Sequence, residues 1–349
     1  MTVTVTVAVD ANGADLGPAE VAAGAAIAAA QGVRVLLFGP AGQLGPPAPG
    51  VEIVDAPVSI AKAADAVAAT RQEPDSSIVR AARAVAAGEA DALVAAGSTG
   101  TALAAGLFHI RRDPGISRPA LALTLPVPGE PVTLLDVGAN AEVRPEHLVQ
   151  FAFMGAAFAR VVHGIERPRV GLLSNGEEDT RGTPLVREAH LALAERAKGS
   201  SLIDFAGNVE GTQILHGAAD VVVTDGFTGN VALKLIESTS QRTIEAIREV
   251  AEQSNRGRLG GLLLRKPLHA LREDIDPEAA GGAYLLGLRR LGIVAHGRFT
   301  RAGFAQAMLL AARGVRGDVV GRTREALEES GARRRSPAAS AEASSVRSP

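Results

Sequence analysis

The chain has no cysteine, which excludes disulfides, thiolate metal sites and a cysteine acyl-enzyme. It also has no run of about 18 apolar residues, so no segment reads as a membrane-spanning helix. Its first residues, TVTVTVAVD, alternate as a β-strand does and carry neither the basic region nor the cleavage site of a secretory leader. A soluble cytoplasmic protein is expected. Surplus positive charge is absent too: 36 Lys and Arg stand against 38 Asp and Glu, a net charge of −2. No global field draws such a chain to nucleic acid, and no nucleic-acid partner is expected. The seven histidines (109, 147, 163, 190, 216, 269 and 296) show no HxH or HExxH spacing, which argues against zinc; His216 and His296 stand as possible acid–base groups, with a structural role the leading reading of each. The acidic trio Glu177, Glu178 and Asp179 reads as a solvated helix-entry loop, so no metal and no cofactor are expected. Lysine is scarce, only Lys62, Lys198, Lys234 and Lys266. Arginine fills the ordinary surface positions, and Lys234 stands out.

What is present is a large apolar fraction, 46% of 349 residues, enough to bury a substantial core. Short apolar or β-branched runs at 2–9, 33–38, 51–54, 92–95, 121–125, 133–136, 169–173, 202–205, 221–223 and 292–295 alternate with alanine-rich stretches. Helices are expected over 18–30, 76–87, 145–162, 184–197 and 230–254, opening on Pro, Ser or Asn. This alternation predicts an α/β fold with a mainly parallel sheet flanked by helices. Residues 1–331 read as one catalytic domain. The segment 39–50, rich in Gly and Pro, reads as a surface excursion, and 332–349 lacks apolar periodicity and reads as a disordered tail.

Two segments resemble each other without gaps: ADALVAAGSTGTAL (90–103) and ADVVVTDGFTGNVA (219–232). Each predicts a buried strand ending in a glycine turn at a helix N-terminus, where backbone N–H groups and a Thr hydroxyl attract anions. The candidates are Gly97, Ser98, Thr99, Gly100 and Thr101 in the first copy, and Asp225, Gly226, Thr228, Gly229 and Asn230 in the second. Further Gly-, Asn- and acid-rich turns follow other strands and supply Asp10 and Gly13, Asn140, Ser174, Asn175, Gly176, Arg181 and Asn208. In open α/β sheets, ligands bind outside the carboxyl ends of strands, so these loops are expected to share one cleft.

These residue types suit a reaction that holds one anion and stabilises another. A phosphate oxygen can attack a thioester carbonyl directly if N–H groups, a Lys or Arg, and Asn or Thr donors neutralise nucleophile and oxyanion together. Lys234, Asn140, Asn175 and Asn208 are the catalytic candidates, and Arg181 is a second cation. Asp10, Asp136 and Asp225 also fit carboxylates that tie down glycine turns. The stretch 256–272, RGRLGGLLLRKPLHALR, is basic and apolar with no acid. It reads as a helical hairpin insertion at about 250–275, broken near Pro267, that packs across a dimer or touches anionic lipid and an acidic protein. Its contact residues are Arg258, Leu262, Leu263, Leu264, Arg265 and Lys266.

With these motifs in order, VAVDANGADLGP, ADALVAAGSTGTAL, RPALALTLP, LLDVGANAE, GLLSNGEEDTRG, FAGNVEG, ADVVVTDGFTGNVALK and GGAYLLGLRRLGIVAHG, the chain closely resembles the bacterial acyl-ACP:phosphate acyltransferases, the PlsX family, over about residues 5–315. The resemblance implies a fold similar to isocitrate and isopropylmalate dehydrogenases and a homodimer. It implies long-chain acyl carrier protein (acyl-ACP) as donor, inorganic phosphate as acceptor and acyl phosphate as product for phospholipid synthesis. It further implies contact with the inner face of the membrane and with a downstream glycerol-phosphate acyltransferase. The chain departs from the usual pattern at Ala11–Asp15 (ANGAD for AMGGD), at 97–101 (GSTGT for GNTGA), in the reduced Arg71-Gln72-Glu73-Pro74 segment, and at Arg181, where lysine is usual. The alternatives are an acyl-CoA-dependent phosphotransacylase, a β-decarboxylating dehydrogenase, for which no matching metal or dicarboxylate cluster is seen, and a non-catalytic acyl or phosphate sensor.

Overall fold

The computed structural model describes residues 4–125, 130–274 and 276–334. Its frame is one sheet of eleven strands: β1 (Thr6–Asp10), β2 (Arg34–Gly39), β3 (Val51–Asp55), β4 (Ala92–Ala96), β5 (Ala120–Thr124), β6 (Thr133–Leu135), β7 (Arg169–Ser174), β8 (Asp204–Glu210), β9 (Val221–Val223), β10 (Ala283–Leu286) and β11 (Leu291–Ala295). Their order is β3-β2-β1-β4-β11-β10-β5-β6-β9-β7-β8. The helices are α1 (Pro18–Ala30), α2 (Ala41–Leu44), α3 (Ala66–Gln72), α4 (Ser77–Ala87), α5 (Thr99–Ala105), α6 (Pro145–His163), α7 (Pro184–Ala197), α8 (Gly226–Glu252), α9 (Asn255–Asp274), α10 (Pro277–Ala280), α11 (Arg301–Arg316) and α12 (Val319–Glu329).

Both faces of the sheet are covered, which is why its strands read as continuous apolar runs. Alternate residues serve opposite layers: Val7, Val9, Val35 and Leu37 pack into one core, while Ala8, Leu36 and Phe38 pack into the other. Helices α1, α11, α6, α7 and α12 lie on the first face. Helices α4 and α5 cover part of the second, and α8 crosses another part of it. Pro at the first turn of α1, α6 and α7 starts each helix where an amide N–H has no partner to lose.

Seven of the ten strand pairings are parallel; β11–β10, β10–β5 and β5–β6 are antiparallel. These three reverse the sheet's direction in the middle. Strands β3, β2, β1, β4 and β11 therefore run one way and β6, β9, β7 and β8 the other. The loops expected to share one cleft divide between opposite edges: those after β1, β4 and β11 lie at one, those after β6, β7 and β9 at the other.

Other expectations shift as well. Strand β10 stands where no strand is expected, because two glycines with positive φ, Gly282 and Gly287, bound it. The segment FAGNVEG is not a loop but most of β8, an edge strand that takes a bulge between Val170 and Gly171 of β7, with Gly207 at φ 83°. The hairpin is longer than 250–275: α8 forms its first arm, it turns at Gln253 and Ser254, and α9 runs through Pro267. Inside the excursion 39–50, α2 makes a single turn. Of the expected tail, residues 335–349 lie outside the described residues, but 332–334 are part of the fold. Gln150 Nε2 donates to Ala332 O at 2.9 Å, and Arg334 N donates to Gly115 O at 2.9 Å.

Candidate active site

The two similar segments share a frame and differ at one decisive place. In each, the Asp at the start of the strand accepts from a backbone N–H opening a neighbouring strand: Asp91 from Thr6 N at 2.9 Å, and Asp220 from Arg169 N at 2.7 Å. In each, the strand then feeds a glycine turn and a helix. At the second turn, Asp225 accepts from Thr228 N at 2.8 Å and from Thr228 Oγ1 at 2.8 Å, while Gly226 N donates to Asn140 O at 2.7 Å. The chain's own carboxylate occupies the helix start where an external anion was expected. The first copy has Ala96 where the second has Asp225. There Ser98 caps Thr101 N, and no acceptor among the described residues receives the N–H of Ser98, Thr99 or Gly100.

Glycine at these turns serves close backbone approach. A Cβ on Gly13 would run into the carbonyl of Ala96, and one on Gly97, which has φ 108°, into that of Gly13. The loops after β1, β4 and β11 thus meet backbone to backbone at Gly13, Gly97 and Gly297. Likewise a Cβ on Gly229 would strike Asp136 O, which seats the start of α8 on the 136–140 loop.

From that seat α8 crosses the sheet face toward the other edge. Eight residues separate Gly226 from Lys234, about 12 Å of helix rise. A cavity of ≈ 230 Å³ opens between α5 and α8, bordered by Gly97 and Thr99 on one side and Asn230, Leu233, Lys234 and Glu237 on the other. Leu121, Leu123, Val137, Ala283 and Val294 make it apolar, and His296 and Phe299 close one side. Lys234 makes no ion pair among the described residues. Burial and the Arg298 guanidinium hold His296 below its usual range, opposed by Glu237 and reinforced by Lys234; its Nδ1 accepts from Arg298 N at 3.2 Å. The cavity therefore joins Lys234, the first turn of α5, the Asn230 amide and an imidazole held below its usual range to an apolar floor.

The remaining candidates are placed elsewhere or engaged internally. Asn140 is buried, and its Nδ2 donates to Pro119 O at 2.7 Å and to Asp136 Oδ2 at 2.8 Å. Asp136 also accepts from the N–H groups of Leu121, Gly138, Ala139 and Asn140, so it braces the loop. Burial raises its carboxyl against those donors. Asp10 accepts from Ser77 Oγ at 2.6 Å and Asn12 N at 3.1 Å, tying the first glycine loop to α4. Thr101 Oγ1 turns back to Ser98 O.

Ser174, Asn175, Gly176, Arg181 and Asn208 form a second cluster at β7 and β8, outside the cavity. Asn175 Oδ1 accepts from Gly182 N at 3.0 Å, Asn208 Nδ2 donates to Glu178 O at 2.7 Å, and exposed Arg181 pairs with Glu178 at 3.3 Å. Ser174 Oγ is buried there with no hydrogen-bond partner among the described residues. Arg258, Leu262, Leu263, Leu264, Arg265 and Lys266 are all exposed on α9. Of the two further polar residues of this cavity, Glu237 escaped the sequence-based candidates, while His296 was a possible acid–base group behind a structural reading. Glu237 lies three residues from Lys234, hence on the same helix face, and His296 follows β11 directly.

A family model described as "Fatty acid synthesis protein" matches residues 5–322. The chain is 45% identical over 312 residues to a phosphate acyltransferase of Thermobifida fusca (strain YX), covering 87% of this chain and 86% of that one. The chain belongs to the phosphate acyltransferase family. It is also 41% identical over 329 residues to a phosphate acyltransferase of Geobacillus sp. (strain WCH70), covering 93% and 98% of the two chains. Among solved structures it is similar in fold to the EutD phosphotransacetylase from Staphylococcus aureus (TM-score 0.59, 18% identity, 89% and 94% covered). It is similar too to a branched-chain phosphotransacylase from Enterococcus faecalis V583 (TM-score 0.56, 15% identity, 89% and 99% covered). The mainly parallel sheet flanked by helices expected for this acyltransferase is thus the fold of its structural neighbours.

Proposed function

We propose that this acyltransferase moves a fatty acyl group from the thioester of acyl carrier protein to inorganic phosphate, in the cavity between α5 and α8, giving acyl phosphate for phospholipid synthesis. The observation that carries the reading is the cavity that Gly97 and Thr99 of the first turn of α5 share with Lys234 over an apolar floor. The turn and the ammonium hold the phosphate; the apolar floor takes the first carbons of the acyl chain. A phosphate oxygen attacks the carbonyl, and Asn230 and Thr99 supply donors for the oxyanion that forms. The C–S bond then breaks, and the proton carried by hydrogen phosphate ends on the departing thiol. No acyl-enzyme is formed, in keeping with a chain that has no cysteine.

The surface supports the partners of this reading. Phe227, Val231 and Leu235 are more than half exposed along one stripe of α8 at i, i+4 and i+8, which suits burial in a homodimer. Exposed Leu259, Leu262, Leu263 and Leu264 alternate with Arg258, Arg265 and Lys266 on α9, which suits a peripheral contact with the anionic inner face of the membrane, beside an acyltransferase that consumes the product. No helix among the described residues is long and apolar enough to cross a membrane.

The test is acyl-phosphate formation from palmitoyl-ACP and phosphate, beside palmitoyl-CoA and phosphate, with purified protein. Phosphate-dependent release of ACP supports the reading. Turnover of the CoA ester alone points to a phosphotransacylase, and inactivity of folded protein with both donors points to a sensor.

A further inference from the structure

A second, larger cavity of ≈ 510 Å³ lies next to the first and has no acidic residue in its lining. Arg112, Arg118, Arg144, His147 and Arg334 converge on it. Arg112 is spent on the carbonyls of Ile116 and Ser117 and so shapes the rim. Among the described residues, the guanidinium groups of Arg118 and Arg334 have no hydrogen-bond or ion-pair partner, and Arg144 has only exposed Glu146, at 3.9 Å. His147 is held below its usual range by burial, against Glu146, and by Arg118, Arg144 and Arg334. Its Nδ1 accepts from Arg144 N at 3.1 Å, which leaves the Nε2 proton to donate. Crowding cations without a counter-charge costs folding energy, and an incoming anion offsets that cost.

The same elements line both cavities. Helix α5 and the π turn that continues it run from Thr99 in the first to Leu103 and Leu107 in the second. The strand β5 side leads from Leu121 to Pro119, and the loop after β6 from Val137 to Ala139. Thr99 and Leu107 are eight residues apart, on the order of 12 Å along a helix. A pantetheine arm, comparable in backbone length to four or so residues, spans about 15 Å when extended. Its gem-dimethyl group, next to the phosphate, matches the apolar wall of Leu103, Leu107 and Ala139.

We infer that this basic pocket binds the phosphate of the pantetheine arm that carries the acyl group, so that the thioester at the other end reaches Lys234. The inference rests on the thioester-to-phosphate reading above. Both acyl carrier protein and coenzyme A present this phosphate, and the experiment separates them from free phosphate.

Binding of octanoyl-phosphopantetheine and of octanoyl-pantetheine, which lacks the phosphate, is measured by calorimetry in phosphate-free buffer for wild type and for the Arg118→Ala, Arg144→Ala double variant. Both positions are exposed, and folding of the variant is checked by its melting transition. Wild type is expected to prefer the phosphorylated arm by about tenfold or more, and the variant to lose that preference while binding the unphosphorylated arm as before. In turnover, the variant's KM rises about tenfold for acyl-ACP and acyl-CoA alike, with the KM for inorganic phosphate unchanged. Equal preference in both proteins overturns the inference, as does a shift confined to the KM for inorganic phosphate. A protein inactive with every donor that still prefers the phosphorylated arm removes the acyl-transfer reading and leaves the pocket assignment standing, because the calorimetric arm needs no turnover.

Discussion

Asp10 sits wholly inside the fold against Ser77 and Asn12, and burial pushes its carboxyl from 3.8 up to about 6 despite those two donors. A carboxyl raised on folding contributes fully below its unfolded value and loses that contribution as pH rises through its folded value. The stability of wild type relative to Asp10→Asn is therefore expected to fall between pH 3.8 and about 6, by up to about 3 kcal/mol; urea melts across that range measure it. Lys234 is tested by activity: Lys234→Ala should raise the KM for phosphate and lower kcat, because the charge meets both nucleophile and transition state. Unchanged kinetics would remove it from the mechanism. Arg111 is a third case. It holds φ 70° and ψ 157° at the end of the π turn, a region essentially reserved for glycine. Arg111→Gly is expected to gain about 1 kcal/mol in a denaturant melt, the relief of strain exceeding the added chain entropy. Of these residues, Lys234 was legible as a rare lysine after a glycine turn. Asn140 reads from sequence as a catalytic candidate, and only packing shows that its Nδ2 is taken by Pro119 O and Asp136 Oδ2.

Among elements, α8 carries the most. Its start is pressed on the 136–140 loop by Gly226 and Gly229, and a methyl at position 229 would overlap a carbonyl. Gly229→Ala should cost about 3 kcal/mol in stability, at the upper end for overpacking, and depress activity by displacing Asn230 and Lys234. The far arm of the hairpin is separable from this role. Replacing Leu262, Leu263 and Leu264 by Asp should abolish sedimentation with anionic vesicles while leaving turnover of soluble acyl-ACP within about twofold. Retained vesicle binding would mean that α9 is not the membrane contact. Sequence periodicity located α1 and α7 to the residue, since Pro marks their starts. It missed β10, a short strand between two glycines, and placed β8 too early. Strand assignment there depends on a neighbour's hydrogen bonds across a bulge, not on local composition.

For the whole molecule, the exposed stripe Phe227, Val231 and Leu235 predicts a dimer in sedimentation equilibrium and a monomer for Leu235→Glu. A wild-type monomer would refute the assignment of that face. The sequence by itself determined the α/β class, the order of most elements and the family, because buried parallel strands, proline-started helices and glycine turns each leave a local signature. It also marked 97–101 and Lys234 as candidates, and the structure brings Gly97, Thr99 and Lys234 to one cavity. Only the tertiary structure decided which turns meet. Three antiparallel pairings reverse the sheet and send half of the strand-end loops to the opposite edge, and α8 then carries Asn230 and Lys234 back across the face to Gly97 and Thr99. The two similar turns took different fates for the same kind of reason: whether a helix start stays open to an anion depends on which carboxylate folds onto it, and in the second copy that carboxylate is the chain's own Asp225.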